Sequence, residues 1–528
     1  CAQPAGSASS VGGNATDPAS PSTDAATTPA TDPADEPATV VDDSDAVDDL
    51  TPSAGPGAPL PADPAARMTW LRSQLDAAFA DPGLAGAAIG AVVLDARSGD
   101  AIWSQGGDAA LNLASNVKVI TAATALHALG PGFRFVTTVL VSPRSFDRLT
   151  GVVDGDVWLR GSGDPSLTTE HLAELARDLA ELGVRRITGR LRLDASIYDD
   201  VTEPPHYDEQ PKERAAFRAP VSALMLNANA FTVDVIPDPA GVAAAEVTIS
   251  PAVTEAIVLE SAVVSTVVDG RTRIRVSSRT VGKKVLVTVT GQIRNDGGRW
   301  SQRRRIDDPL AVVGEAARRA LLDAGIVLGQ KRADVDPAPI GATVLAAHQS
   351  APLADMVRWM NKASSNPIAE AVLRAVGAAT READGPSSWQ DGQAAVQRYL
   401  SGCGIHGARV DNGSGLFDAS AVSAQQLASV LLCARRDFRV GPDLMASLPS
   451  AGFDGTLARR LSTTAAAGRV RAKTGTLAAV STLAGYAGVG LDEQFVFAFV
   501  FNQLTPAQRG LARRAQDRAA LAMVRFRE

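Results

Sequence analysis

The 528-residue chain is built alike near its two ends. Residues 87–95 and 101–105 read as two strands joined by the turn signal Arg97-Ser98-Gly99-Asp100. Residues 470–474, 482–488 and 495–501 read as three more, followed by a helix from 506 to the terminus. Two strands in front, a helical middle and strands plus a helix behind suggest one sheet assembled from both ends of the chain. An amphipathic helix is predicted over 68–80, and a second over 115–129, where Gly130-Pro131 stops it. Between about 142 and 349 the texture changes to short Val/Thr/Arg-rich strands such as 247–249, 273–276 and 285–290, with helices at 172–182 and 310–324. Helices return from about 350. The expectation is an α/β multidomain protein in which 67–141 and 350–528 form one domain, and 142–349 is a large β-rich insertion of two subdomains.

The formal net charge of −7 is unevenly placed. Residues 1–66 hold 11 carboxylates and no Lys or Arg, which leaves 47 acids against 51 bases in the other 462 residues. A near-neutral body lacks the basic stripe that a nucleic-acid binder needs, so no such partner is expected. No apolar run reaches the roughly 18 residues that span a bilayer. The acidic front is made of Ala, Pro, Ser, Thr, Asp and Gly and cannot bury enough surface to offset the entropy of ordering. It reads as a disordered tether with a reach on the order of 45 Å. The sequence begins on Cys1 followed by small and polar residues, which resembles a mature bacterial lipoprotein and makes Cys1 a candidate membrane anchor; a chance boundary is the alternative.

Besides Cys1 the cysteines are Cys403 and Cys433, and the five histidines (His127, His171, His206, His348 and His406) are scattered. No spacing resembles a metal site, so neither a metal nor another cofactor is expected. Cys403 and Cys433 suit either a disulfide in an oxidising compartment or two reduced, buried thiols.

Arg is the default cation here, and only seven residues are Lys: Lys118, Lys212, Lys283, Lys284, Lys331, Lys362 and Lys473. A lysine can lose its proton when desolvated, whereas an arginine practically cannot. Ser115-Asn116-Val117-Lys118 opens the helix predicted over 115–129. The i, i+3 spacing puts hydroxyl and amine on one face, where a neutral amine can take the hydroxyl proton and the helix N-terminus faces a developing oxyanion. Lys118 is the only lysine with Ser three residues before it. Ser364-Ser365-Asn366 is the only Ser-x-Asn in the chain, and Lys362 precedes it by two residues. Lys473-Thr474-Gly475-Thr476 ends a predicted strand, where a cation, two hydroxyls and a glycine can hold a carboxylate and admit a peptide backbone. Taken singly, Ser-x-Asn suits a helix cap and Lys-Thr-Gly a strand end.

In the order Ser-x-x-Lys, Ser-x-Asn, Lys-Thr-Gly, the three segments resemble the motif set of penicillin-binding proteins and class A β-lactamases. Four further stretches are similar to one family within that group: Gly161-Ser162-Gly163-Asp164-Pro165-Ser166-Leu167, Ala219-Pro220-Val221-Ser222-Ala223-Leu224 with Leu226-Asn227, Asp411-Asn412-Gly413-Ser414-Gly415-Leu416, and Leu448-Pro449 through Gly452-Phe453-Asp454-Gly455-Thr456-Leu457. On these residues, over 68–528, the chain resembles the D-alanyl-D-alanine carboxypeptidase/endopeptidase family, the class C low-molecular-mass penicillin-binding proteins. That family fills the long interval between Ser115 and Ser364 with two inserted domains.

The resemblance implies a penicillin-binding-protein/β-lactamase-like transpeptidase domain, an antiparallel sheet flanked by helices. It implies an extracytoplasmic serine-type hydrolase of peptidoglycan stem peptides, with β-lactam antibiotics as covalent inhibitors. Ser115 would be the nucleophile and Lys118 its base. Ser364 would relay a proton to the leaving amine, with Lys362 or Asn366 orienting the groups around it, and Lys362 would also belong to the substrate-binding set. Lys473, Thr474 and Thr476 would bind the substrate carboxylate beside Gly475, and the N–H groups of Ser115 and Thr476 would form the oxyanion hole. A like charge at Lys473 would help keep Lys118 neutral. Two departures stand out. The family follows Ser-Gly-Leu with Ser-Arg where this chain has Phe417-Asp418, and Asn412 is interposed after Asp411. The alternatives are a β-lactamase of the same fold, for which a Glu-x-x-Leu-Asn element is missing, and a catalytically silent cell-wall scaffold.

Overall fold

The computed structural model describes residues 60–527 apart from 212, 253–254 and 491–492. Cys1 and the tether read from the sequence lie outside the described residues except for 60–66, and there the tether boundary moves. Helix α1 (Pro64–Phe79) begins before Met68 because the Asp63 carboxylate accepts from the N–H of Ala66 at 2.7 Å and Pro64 fills the first helical position.

Strands β1 (Ala88–Asp95), β2 (Ala101–Gln105), β3 (Val470–Leu477), β4 (Val480–Gly490) and β5 (Glu493–Asn502) form one antiparallel sheet in the order β2-β1-β5-β4-β3. The two ends of the chain meet at the β1/β5 seam, where Ala88 pairs with Asn502 and Asp95 with Phe495. Alternation along β5 explains why it is central. Phe495, Phe497, Phe499 and Phe501 point to one face and Val496, Ala498 and Val500 to the other, all fully buried. The phenylalanines pack on α1 and on the C-terminal helix Gln508–Arg527. The opposite face packs on helices that include α2 (Val117–Leu129), α3 (Leu353–Lys362) and α4 (Asn366–Thr380). Every residue of α2 from Val117 to Leu126 is buried, as in a helix enclosed on all sides. Cys403 and Cys433 form a disulfide that ties the end of helix Trp389–Gly402 to helix Ala424–Arg436.

The β-rich insertion leaves and returns through a paired neck. Strand Val136–Val141 runs antiparallel to strand Thr343–Gln349, with Val136 opposite Gln349 and Val141 opposite Thr343. The outgoing strand therefore starts at Val136, before the change of texture at 142. The insertion also leans back on the domain it interrupts. The buried Arg374 guanidinium of α4 donates to the carbonyls of Val201 and Ser387 and to Asp199, stacked between the rings of Tyr198 and Trp389.

Candidate active site

Three segments far apart in sequence meet at the edge of the sheet. The first is the entry to α2. Ala114 takes a left-handed φ of 47°, and Ala114–Asn116 make one 3-10 turn before the α-helix starts at Val117, so Ser115 sits on the turn rather than inside the predicted helix. The second is the break between α3 and α4, where Ser364 has a φ of 54°. A non-glycine residue in that region is held there by its surroundings. The third is β3, the edge strand, whose outer side is bridged by Pro449–Ala451 at Val470–Ala472 and beyond that is available to an extended peptide.

Lys118 joins two of them. Its ammonium nitrogen lies 2.9 Å from Ser115 Oγ, 2.7 Å from Asn366 Oδ1 and 3.0 Å from the carbonyl of Ser414. The side chain is fully buried, and burial, reinforced by the positive charge of Lys473, holds its pKa well below 10.5 against the opposing pull of Glu370. A neutral amine fits these three neighbours without conflict. Two N–H bonds serve Asn366 and Ser414, and the lone pair is left for the Ser115 hydroxyl proton. Ser115 is itself half-buried, so its hydroxyl is partly reachable while the Lys118 amine is not.

Lys473 makes the matching contact on the other side, donating to Ser364 Oγ and to the carbonyl of Thr474, both at 2.8 Å. Thr474 Oγ1 donates to Thr456 Oγ1 at 2.8 Å, and Thr476 is half-buried further along the open edge. Gly475 is required by proximity. A Cβ there would lie 2.3 Å from Thr482 Oγ1, 2.8 Å from the carbonyl of Leu113 and 3.1 Å from the Ser115 nitrogen. β3 thus passes directly beside the Ser115 amide.

Eight of the nine residues singled out in the sequence lie in this arrangement: Ser115, Lys118, Ser364, Asn366, Lys473, Thr474, Gly475 and Thr476. Lys362 does not, and its assignment to substrate is corrected. Its side chain points to the 448–454 turn, donating to the carbonyl of Leu448 at 2.7 Å and to both carboxylate oxygens of Asp454 at 2.6 Å. Lys362 closes the end of α3, where a cation also suits the helix dipole.

Several residues were missed. Glu370 is fully buried, accepts the N–H groups of Gly413 and Ser414 at 2.8 Å each, and has its pKa raised by that burial. Its position four residues after Asn366 on α4 was the available signal. Thr121 Oγ1 donates to the carbonyl of Gly413 at 2.7 Å, so α2 and α4 together hold the 411–416 segment. From the insertion, the carbonyl of Phe217 accepts from Asn366 Nδ2 at 3.3 Å, and the Tyr207 hydroxyl lies 3.3 Å from Ser414 Oγ. Arg218 is buried over the rings of Tyr207 and Phe417. The two departures from the family pattern are both built in. Asn412 is fully buried, donating to the carbonyls of Pro205 and Leu416 and accepting from Gly415, and Asp418 faces Arg409 at 3.5 Å.

A five-stranded antiparallel sheet between helical layers, with Ser-x-x-Lys at a helix entry, Ser-x-Asn on a strained break and Lys-Thr-Gly on the edge strand, defines the penicillin-binding-protein and β-lactamase fold. Residues 71–523 match the D-Ala-D-Ala carboxypeptidase 3 (S13) family. A D-alanyl-D-alanine carboxypeptidase of Actinomadura sp. is 34% identical over 457 residues, 83% of this chain and 82% of that protein. The D-alanyl-D-alanine carboxypeptidase DacB of Haemophilus influenzae is 27% identical over 435 residues, 79% of this chain and 86% of that one. The crystal structure of penicillin binding protein 4 from Haemophilus influenzae superposes with a TM-score of 0.67 at 25% identity, covering 84% of this chain and 97% of that one. The chain belongs to the D-Ala-D-Ala carboxypeptidase 3 (S13) family, the class C low-molecular-mass penicillin-binding proteins. It is a hydrolase of the carboxypeptidase class.

Proposed function

We propose that the protein is a serine-type D-Ala-D-Ala carboxypeptidase and endopeptidase that cleaves peptidoglycan stem peptides through an acyl-enzyme and is acylated by β-lactams. The observation that carries this reading is the fully buried Lys118, its pKa depressed, within 2.9 Å of the half-exposed Ser115 hydroxyl. Lys118 takes the Ser115 proton as Oγ attacks the carbonyl carbon between two D-alanines. The oxyanion forms beside the N–H groups of Ser115 and Thr476. As the C–N bond breaks, Ser364, hydrogen-bonded to Lys473, passes a proton to the departing amine. Lys473, Thr474 and Thr476 hold the terminal carboxylate. Water then attacks the ester and restores the Ser115 hydroxyl. The same site opened to a longer leaving peptide gives endopeptidase cleavage of cross-links. Such a substrate puts the enzyme outside the cytoplasm.

Incubation of the pure protein with a fluorescent penicillin, followed over time beside Ser115→Ala, tests the proposal. A persistent covalent label that the substitution abolishes is the expected result. Label that turns over within seconds would instead mean a β-lactamase, and no label at all a scaffold.

A further inference from the structure

Away from the serine site, the neck of the insertion brings together side chains that the sequence scatters. His171 and Glu174 stand one turn apart on helix Thr169–Glu181, and His348 comes from the returning strand Thr343–Gln349. The two imidazoles stack with centroids 4.0 Å apart, and one ligating atom from each of the three residues lies within 4.8 Å of the others. Behind them is Asp164, only 1% exposed. Its Oδ1 accepts from the N–H and the hydroxyl of Ser166, at 2.8 and 2.7 Å. Its Oδ2 lies 3.8 Å from His348 Nε2, and among the described residues neither of those two buried atoms has a hydrogen-bond partner.

Two buried polar atoms facing each other without partners call for an explanation, because such groups are normally satisfied. At 3.8 Å the two atoms are too far apart to hydrogen-bond each other as they stand. We propose that His171, His348 and Glu174 bind a divalent transition-metal cation of the zinc type, with the buried Asp164 carboxylate behind His348. Two nitrogen donors and one carboxylate, with the fourth position left to water, suit four-coordinate zinc at about 2.0–2.2 Å, whereas calcium and magnesium take oxygen sets. Ser166 supplies the outer hydrogen bonds that fix the Asp164 carboxylate in place. Glu174 is exposed, so the site is reached from solvent, and its carboxylate would exchange the 3.8 Å contact with Arg177 for the ion. The ring of His171 gives up one bond, the 3.2 Å contact in which its Nδ1 accepts from the N–H of Thr168.

The ion would pin helix Thr169–Glu181 and the 161–166 loop to the strand that returns from the insertion to α3. Its role is to brace the insertion, and it takes no part in chemistry at Ser115.

The test uses the full chain stripped of metal by chelator and titrated with Co²⁺ alone, read by visible absorption, and with Zn²⁺ alone, read by calorimetry and melting temperature. Expected are one ion per chain, displacement of Co²⁺ by Zn²⁺, a higher melting temperature with Zn²⁺, and affinity at least about tenfold weaker in His171→Gln and Asp164→Asn. His171 is half-exposed, so His171→Gln is the variant expected to fold, checked by circular dichroism. No stoichiometric binding to the unaltered chain, or equal binding by His171→Gln, overturns the proposal.

Discussion

Glu370 and Lys118 hold Ser414 from opposite sides: the carboxylate accepts its N–H at 2.8 Å, and the amine lies 3.0 Å from its carbonyl. The carboxyl therefore sets both the position of a hydrogen-bond acceptor of Lys118 and the local potential. In Glu370→Gln, one of the two amides of Gly413 and Ser414 meets an NH₂ instead of an oxygen, a loss of about 1–3 kcal/mol in thermal or urea unfolding. Glu370 raises the pKa of Lys118, so the variant's acylation should persist to lower pH. Stability should change shape too. Burial raises the folded Glu370 above 4.5, the folded state holds more protons between the two values, and stability falls as pH rises across that window. The variant lacks this slope.

The rate of acylation by penicillin, measured against pH, should fall as pH drops through the depressed Lys118 value, since only the neutral amine accepts the Ser115 proton. Lys118→Arg should lose about 10²–10⁴-fold, because a guanidinium does not give up its charge at any working pH. Retained labelling in that variant would remove Lys118 from the mechanism. Between the folded value and 10.5 the unfolded chain binds a proton that the folded one does not, so this group makes stability rise with pH there.

Much of this site was legible because its residues are chemically unusual where they stand. In a chain that uses Arg by default, Lys118 and Lys473 mark places where a cation must be compact, and Lys118 the one where it must be able to lose its proton. Lys362 shows the limit of that argument, since a lysine can also close a helix end on Asp454. The sheet was legible from its two termini, because strands such as 495–501 have both faces apolar. The contributions of Phe217, Tyr207 and Arg218 were not. They depend on where a long insertion folds back, and the main-chain carbonyl of Phe217 leaves no trace in residue identity. The histidine and aspartate cluster was hidden in the same way, by the distance in sequence between His171 and His348.

Gly475→Ala separates the strand from Ser115. Its Cβ would meet the carbonyl of Leu113 at 2.8 Å and the nitrogen of Ser115 at 3.1 Å, neither of which can rotate away. β3 must move outward, and acylation should fall by about 10²–10³-fold, the scale of losing an oxyanion donor. The comparison variant is Gly490→Ala, on the same sheet with nothing within 4 Å, which should label normally.

The disulfide closes a loop of 30 residues, which in the chain-entropy account stabilises by about 3.5 kcal/mol. Replacing Cys403 and Cys433 together with Ala should lower the melting temperature by that equivalent. Penicillin labelling below the new transition should be unchanged, because neither cysteine touches the site. A loss of labelling in the folded variant would show that helix Ala424–Arg436 transmits strain to α2.

Asn366→Asp tests the electrostatics from the other direction. The substitution places a carboxylate 2.7 Å from Lys118 Nζ at nearly constant shape, and an opposite charge at that range favours the ammonium. Acylation at neutral pH should drop by at least about tenfold and recover as pH rises, since one pKa unit of added attraction is a factor of ten in the neutral fraction. Asn366→Ala removes the acceptor without adding charge and should lower acylation without moving its acid limb upward. Glu370→Gln moves the limb down and Asn366→Asp moves it up only if the titrating group lies between them. Lys118 is the group that both carboxyl positions face. Shifts in the same direction for the two variants would mean that the acid limb belongs to some other residue.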